Sequence, residues 1–418
     1  MSTQFFTLVL SQRTATVLSH ICIFLLLAGA TGLVYAQSSK TGESQTKEAM
    51  LGFLRINAII DLDGDGVLDL EDYSPIPSLD SLLVNVHSDL FDETFSLGND
   101  ILSRELSNLV AGEYTISVLS IPSGWVITTP SVELRTVSLT SSDTVTFMFF
   151  KLISISGNKF HDINGNGYKD FNEPGLSNWK FFITPNDSAL SDSAGTFQFF
   201  NVGPGTYTLY EIQQSGWTRT YPPNPAYTFM AFSGLDISYQ DFGNFNLGKF
   251  IVDVTVDFDG DGVADAPDIL PLPAGTQVTT HISKDTSTNL FVQTGNGIRT
   301  TEVSNLGMGT YDVSITSIPS GWMVTTANVV SKTINVSEQV DTVRFMLFKL
   351  ISVSGIKYED KNGNGVKEGT EHGLSGWTFT LNSFNSVSDS LGGFYFDNIG
   401  PGSHTLSENP QSGWINTA

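Results

Sequence analysis

Apolar and polar residues along this chain alternate, or run apolar, over short stretches rich in Thr, Val, Ile, Tyr and Phe and bounded by Gly, Pro, Asn and Asp. GEYTISVLSI (112–121), GTYTLYEI (205–212) and TVTFMFFKLISISG (144–157) are of this kind. The pattern predicts β-strands, and beyond the first 36 residues no stretch keeps a helical period. The strands recur in segments of ~95–100 residues, each long enough for a core of its own. The expected fold is all-β, a tandem array of small antiparallel β-sandwiches.

The array is built by duplication. KLISISGNKFHDINGNGYKD (151–170) recurs as KLISVSGIKYEDKNGNGVKE (349–368), IDLDGDGVLD (60–69) as VDFDGDGVAD (256–265), and IPSGW (121–125) at 318–322. The unit is about 197 residues long, and it halves again. Four times a Gly opening a Thr/Tyr-rich strand is followed by a Gly-Trp: Gly112 to Trp125, Gly205 to Trp217, Gly309 to Trp322 and Gly402 to Trp414. The sequence therefore divides into A-type modules at 51–150 (A1) and 248–348 (A2) and B-type modules at 151–247 (B1) and 349–418 (B2). The last of these stops four residues after Trp414 without a counterpart of FSGLDISYQDFGNF (232–245), so it is expected to be C-terminally truncated with an open strand edge. A fragment of a longer protein accounts for this; a strand donated by another chain is the sharper alternative.

Residues 17–36 are mostly apolar and end in Val34-Tyr35-Ala36, the small-residue pattern of a cleavage point, so 1–36 reads as a secretory signal peptide. An uncleaved anchor helix is the alternative reading. Residues 37–50 form a polar linker. The single cysteine, Cys22, falls inside the signal, so the exported chain has no disulfide and must be stabilised by its cores or by metal.

Charge sharpens the picture. With 43 Asp and Glu against 20 Lys and Arg the net charge is −23, which disfavours nucleic acid and anionic membrane and favours divalent cations. The acid is clustered: windows 61–72, 162–173, 257–268 and 360–371 hold 17 of the 43 acidic residues. Each window places an oxygen ligand at positions 1, 3, 5, 7, 9 and 12 and Gly at position 6, the arrangement with which a 12-residue loop surrounds calcium. The sets are Asp61, Asp63, Asp65, the Val67 carbonyl, Asp69 and Asp72; Asp162, Asn164, Asn166, the Tyr168 carbonyl, Asp170 and Glu173; Asp257, Asp259, Asp261, the Val263 carbonyl, Asp265 and Asp268; and Asp360, Asn362, Asn364, the Val366 carbonyl, Glu368 and Glu371. Tight Asp-Gly and Asn-Gly turns are the plainer explanation, but a turn does not need oxygen at the remaining positions. The expected cofactor is Ca2+.

SGNKFHDINGNGYKDFNEPGLSNWKFFI, DSAGTFQFFNVGPGTYTLYEIQQSGW and DFGNF in B1 resemble the SdrD B-like domains of bacterial surface adhesins, related to collagen-adhesin B-type, prealbumin-like repeats. B2 is similar as far as it extends, and the A modules match in the loop and the Gly-Trp segment. The resemblance implies an Ig-like or prealbumin-like calcium-binding sandwich serving as a stalk in a surface-exposed protein. Relatives of this fold can form an isopeptide bond between a first-strand Lys and a last-strand Asn or Asp assisted by a buried acid, and Lys159, Asn244 and Glu211 stand at comparable places, although calcium-type members generally do without the bond. A paired surface lysine is the plainer expectation for Lys159.

No HExxH, GxSxG elbow or phosphate-binding loop is present, and His161 and His372 read as solvated residues beside the loops. The sequence thus points to a non-enzymatic, extracellular or cell-surface repeat protein, a structural stalk or adhesin spacer with calcium bound. A host or neighbouring-cell surface protein or glycan would be its partner, with no contact with nucleic acid and none with membrane beyond export. The alternative is the non-catalytic, carbohydrate- or protein-binding accessory region of a larger secreted enzyme. With strands of ~8–10 residues a module spans ~30 Å, so four could reach ~120 Å.

Overall fold

The structure is a computed structural model that describes residues 52–417 apart from 73, 139–141, 186 and 287. The signal peptide and linker expected over 1–50 lie outside the described residues. Among the described residues the only helix is a 3-10 turn at Ala266–Ile269, and none is long and apolar enough to cross a membrane. The rest of the regular structure is strand, as the alternating pattern requires.

Residues of A1 form two four-stranded sheets. One runs in the order Ser103–Leu109, Gly52–Ile60, Ser142–Lys151, Trp125–Ile127, and the other Phe91–Gly98, Ser81–Ser88, Gly112–Ser120, Val132–Val137. B1 repeats the plan with Thr196–Val202, Ile153–His161, Phe242–Asn246, Trp217–Tyr221 in one sheet and Asp187–Leu190, Lys180–Ile183, Gly205–Glu211, Ala226–Ala231 in the other. A2 repeats it again, with Thr300–Leu306, Gly248–Val256, Val340–Lys349, Trp322–Val324 beside Thr288–Gly295, Gln277–Lys284, Gly309–Ser317, Val329–Ile334. B2 has Ile351–Ile356 paired with Gly393–Ile399, and Phe384–Val387, Thr378–Leu381, Leu406–Glu408 in its second sheet.

Alternate residues on facing sheets make each core. Leu54, Ile56 and Ala58 from one A1 sheet pack with Val84, Val86 and Ile116 from the other, while Arg55 stays outside. In B1 the core is aromatic: Phe181 stacks on Phe197 at 3.8 Å between centroids, with Phe242 at 5.2 Å from Phe181. The Tyr two residues after the strand-opening Gly anchors that strand, its hydroxyl donating to the carbonyl four residues earlier: Tyr114 to Val110, Tyr207 to Gly203 and Tyr311 to Gly307. In B2 the place is taken by His404, whose Nε2 lies 2.9 Å from the Gly400 carbonyl.

Strand pairing is antiparallel except at one place in each of the first three modules. There the first strand runs parallel to the last, Gly52–Ile60 beside Ser142–Lys151, Ile153–His161 beside Phe242–Asn246, and Gly248–Val256 beside Val340–Lys349. A parallel first and last strand sends the chain out at the end opposite to its arrival. The next module then follows after one residue. The apolar run 144–157, continuous in the sequence, divides at Leu152 into strands of two modules, and Leu247 and Leu350 make the other two connections. Each connecting N–H donates to the Gly of the Gly-Trp pair: Leu152 to Gly124, Leu247 to Gly216 and Leu350 to Gly321, at 2.8–2.9 Å. The recurring Gly-Trp therefore has a joint to hold as well as a Trp to pack. Trp125 and Trp322 are buried, Trp217 half-buried and Trp414 exposed.

One polar cluster distinguishes A2 from A1. Buried Asp253 accepts from Arg299 Nε and Nη2 at 2.7 and 2.8 Å and from Arg344 Nε at 2.9 Å. Burial works against its charge, but the two guanidiniums outweigh it and hold the carboxyl below its ordinary value. The A1 counterparts are neutral, Asn57 donating to Thr146. Replacing Arg299 and Arg344 together by Ala should destabilise A2 by about 3–5 kcal/mol, because a buried carboxylate is left unpaired, whereas adding Asp253→Asn should restore much of the loss. Denaturant unfolding of the double and triple variants measures the difference; equal losses would mean the cluster contributes only packing.

Candidate functional site

The four acidic windows fold alike. The N–H of position 1 is tied to the last strand of its own module: Asp61 to the Phe149 carbonyl, Asp162 to Asn244 and Asp257 to Leu347. The position-1 carboxylate then accepts the N–H of position 6, from Gly66, Gly167, Gly262 and Gly365 at 2.8–3.0 Å. Gly at position 6 is required twice over in A1: Gly66 has φ +75° and a Cβ there would lie 2.9 Å from the Thr128 carbonyl oxygen. At position 12 both carboxylate oxygens accept N–H groups, those of Leu62 and Asp69 for Asp72 and those of Ile163 and Asp170 for Glu173. Asp268 and Glu371 do the same. The short Asp of the A loops thus reaches the same two backbone donors as the Glu of the B loops.

The remaining oxygens differ by type. In the A loops Asp61, Asp63 and Asp65 bring carboxylate oxygens within 4.8 Å of one another, as do Asp257, Asp259 and Asp261. Desolvation, with the charges of Asp65, Asp61 and Asp69 beside it, pushes the Asp63 carboxyl above its ordinary value. Desolvation and Asp268 do the same to Asp265. The B loops relieve this with amides. Asn164 and Asn166 both donate to Asp170 Oδ2 at 2.8 and 2.9 Å, and the Asn364 amide on Glu368 holds that carboxyl below its ordinary value. The donor set is all oxygen, and the backbone donors leave room for further coordination by each carboxylate, so the residues present fit a hard divalent cation.

Three of these loops sit at joints. Position-4 Gly64 of A1 packs on Pro204 of B1, Gly165 of B1 on Met308 of A2, and Gly260 of A2 on Pro401 of B2. Each contacted residue directly precedes the Gly that opens the Gly-to-Trp segment, a signal visible in the sequence as VGPG (202–205) and IGPG (399–402). The B1–A2 joint adds polar contacts: Ser337 donates its N–H to the Ile163 carbonyl at 2.8 Å, its Oγ lies 2.6 Å from His161 Nε2, and Glu338 N–H reaches the Asn246 carbonyl at 3.0 Å. His161, read from the sequence as solvated, is half-buried here with its ring 4.9 Å from that of Trp217. His372 is exposed. Gly64→Ala should loosen the A1–B1 joint, since its Cβ would fall 2.0 Å from Pro204 Cβ at φ +76°. Gly363→Ala, at the same loop position with φ +67° and nothing within 4 Å, carries only the backbone strain of about 1–2 kcal/mol. Hydrogen exchange at Leu152 and Ser233 should quicken in the first variant alone.

The structure also gathers Lys159, Glu211 and Asn244. Lys159 stands opposite Phe242 on the parallel last strand, so Asn244 projects from the same face two residues on. Glu211 reaches across from the other sheet. The lysine is not at the surface: Lys159 and Asn244 are fully buried, and the Glu211 side chain likewise. Nζ lies 2.8 Å from Glu211 Oε2 without the angles of a hydrogen bond. Nζ, both Glu211 oxygens and both polar atoms of the Asn244 amide are buried with no hydrogen-bond partner. Burial lowers the amine to about 8, outweighing the opposing charge of Glu211, and the Trp179 ring covers it at 4.1 Å. By strand register the same positions in A1 hold Ala58, Val118 and Phe149, and in A2 Val254, Ile315 and Leu347. The fold therefore does not need polar groups there. In B2, Lys357 donates to both oxygens of Glu408 at 3.0 and 2.9 Å beneath Trp377.

No family model matches the chain, and no curated protein matches it. Among solved structures it is similar to the Bacillus anthracis TIE protein, with 16% identity over 71% of this chain and 50% of that one at a TM-score of 0.31. The chain thus spans half the length of that protein. It is also similar to a streptococcal ancillary pilin (13% identity, 71% of this chain, 98% of the other, TM-score 0.29) and to BcpA, the major pilin subunit of Bacillus cereus (8%, 71%, 99%, 0.29). At TM-scores this low the fold rests on the strand order and packing above rather than on these likenesses.

Proposed function

We propose that the chain is a calcium-binding repeat protein of the bacterial cell surface, acting as a structural stalk or adhesin spacer. The observation that carries this reading is the position of the loops: three of the four oxygen-rich loops lie where one module meets the next across a single connecting residue. An ion held there would neutralise the crowded carboxylates and fix the loop against Pro204, Met308 or Pro401. Each joint would then be stiff, and modules whose first and last strands run parallel would extend end to end. Small-angle scattering in calcium should give a long, rigid particle of ~120 Å, with chelator shortening and broadening it. A profile unchanged by chelator would remove the mechanical role of the ions.

B1 supports a covalent reinforcement of the same stalk. An unprotonated Lys159 amine attacks the side-chain carbonyl carbon of Asn244; the new C–N bond forms as the C–NH2 bond breaks. Glu211, whose Oε2 lies 2.8 Å from Nζ, takes the proton from the amine and passes it to the departing ammonia. No oxidant is needed and one ammonia leaves. Burial of all three groups is what favours this reading over an ordinary ion pair, because beside the Lys159–Glu211 pair both polar atoms of the Asn244 amide would stay buried without a partner in an unreacted trio.

A further inference from the structure

The pairing that ties the two ends of a module together differs between the A modules and B1. In A1 the first strand, Gly52–Ile60, and the last, Ser142–Lys151, run side by side over eight residue pairs without a break, from Phe53 opposite Ser142 to Ile60 opposite Phe149. A2 repeats all eight, from Lys249 opposite Val340 to Val256 opposite Leu347. In B1 only three residues pair in this way, Lys159, Phe160 and His161 with Phe242, Gly243 and Asn244. The chain also meets the first strand earlier, where Ile237 donates its N–H to the Ser154 carbonyl at 2.9 Å and accepts that of Ser156 at 2.8 Å. Between the two places the ladder is broken. Tyr239 takes φ +64°, and the Gln240 carbonyl crosses so close that a Cβ on Gly157 would lie 2.0 Å from it.

Tension along the chain would load these pairings in a defined direction. It enters A1 at Gly52, beside the start of the last strand, and leaves at Lys151, beyond Ile60. It then reaches Ile153 of B1 through Leu152 alone. The first strand is drawn toward its N-terminus and the last toward its C-terminus. Parallel neighbours drawn this way slide past one another, so the bonds between them share the load and give way together. A strand peeled from one end loses its bonds one at a time, and each is weak alone. Forced unfolding follows the height of the unfolding barrier, which a longer unbroken ladder in shear raises.

We propose that A1 and A2 are the tension-bearing modules of the chain, each held shut by an eight-pair clamp in shear, and that B1 yields before them when no covalent link joins Lys159 to Asn244. This goes beyond the stalk reading and rests on strand pairing alone.

The test is single-molecule pulling on the full chain in calcium. One handle is an N-terminal tag and the other a cysteine introduced at exposed Ser352, with Cys22→Ser so that its attachment is unique. The path then runs through A1, B1 and A2. The chain also carries Lys159→Ala, Glu211→Val and Asn244→Phe, so that no bond forms in B1 and the A1 residues fill the site. Three ruptures are expected, each releasing ~300 Å from about 100 residues at ~3.3–3.6 Å apiece. B1, spanning Ile153–Asn246 against Gly52–Lys151 and Gly248–Lys349, is recognised by its smaller increment and should rupture first.

Arg55→Pro addresses the clamp itself. Ala58 and Ile60 donate their N–H groups away from the last strand, to Leu102 and Ser74, so by alternation the Arg55 N–H points toward it, while the side chain is exposed. The variant should bring the A1 rupture force down to that of B1 and leave A2 unchanged. Ile116→Ala, buried in the other sheet, is the control: A1 melts at a lower temperature but still ruptures after B1. B1 rupturing with or after the A modules would overturn the proposal, as would an equal fall in force for Arg55→Pro and Ile116→Ala.

Discussion

Calcium added to chelator-stripped chain should occupy close to four sites and raise the unfolding temperature steeply. At a calcium concentration a hundredfold above the dissociation constant each site stabilises its module by about 2.7 kcal/mol, a large part of the net stability of a domain this size. The A modules should lose more on chelation than the B modules. In A1 three carboxylates bring oxygens within 4.8 Å of one another, whereas in B1 the Asn164 and Asn166 amides already donate to Asp170. The double variant Asp63→Asn, Asp65→Asn converts the A1 loop to the B pattern. It should unfold at a higher temperature than the parent chain in chelator and at a lower one in calcium. Calorimetry with and without calcium reads both signs. A parent chain indifferent to calcium would reduce all four loops to turns.

The intact mass of the chain should fall short of its sequence mass by one ammonia, and fragments spanning Lys159 and Asn244 should remain joined after denaturation. The bond closes a loop of 85 residues between those two positions, so by the chain-entropy argument it stabilises B1 by about 4–5 kcal/mol. Glu211→Gln should leave the full mass and a B1 of much lower unfolding temperature. Because that variant could also fail through packing, the triple change Lys159→Ala, Glu211→Val, Asn244→Phe is the matched control. It installs the A1 residues, should fold, and should show neither the mass deficit nor the loss expected of a broken polar trio. Full mass in the unaltered chain would dispose of the bond.

How much of this was legible beforehand differs element by element. The strands at 112–121 and 205–212 were readable because alternation of Thr, Tyr, Val and Ile is a local property of a half-buried strand. The run 144–157 was readable as strand but not as two strands, since nothing in its apolar pattern marks Leu152 as a joint; only the hydrogen bond to Gly124 does. Lys159 carries no sign in its own neighbourhood of being buried. Its setting comes from Glu211, 52 residues on, and Asn244, 33 beyond that, both brought in by strand pairing. His161 was misjudged for the same reason, its neighbours Trp217 and Ser337 lying 56 and 176 residues away.

By itself, then, the sequence determined the strand-forming periodicity, the duplication, and the spacing of oxygen ligands around an obligatory glycine. The periodicity and the ligand spacing are short-range, set by residues within a dozen positions of one another where backbone geometry dictates the outcome, and the duplication is read by comparing the sequence with itself at a shift of about 197 residues. Only the tertiary structure decided that first and last strands run parallel, that the acidic loops fall at the joints, and that three polar groups in B1 are sealed from water. Those depend on which distant segments share a sheet, a choice made by the packing of whole cores and not by any segment alone.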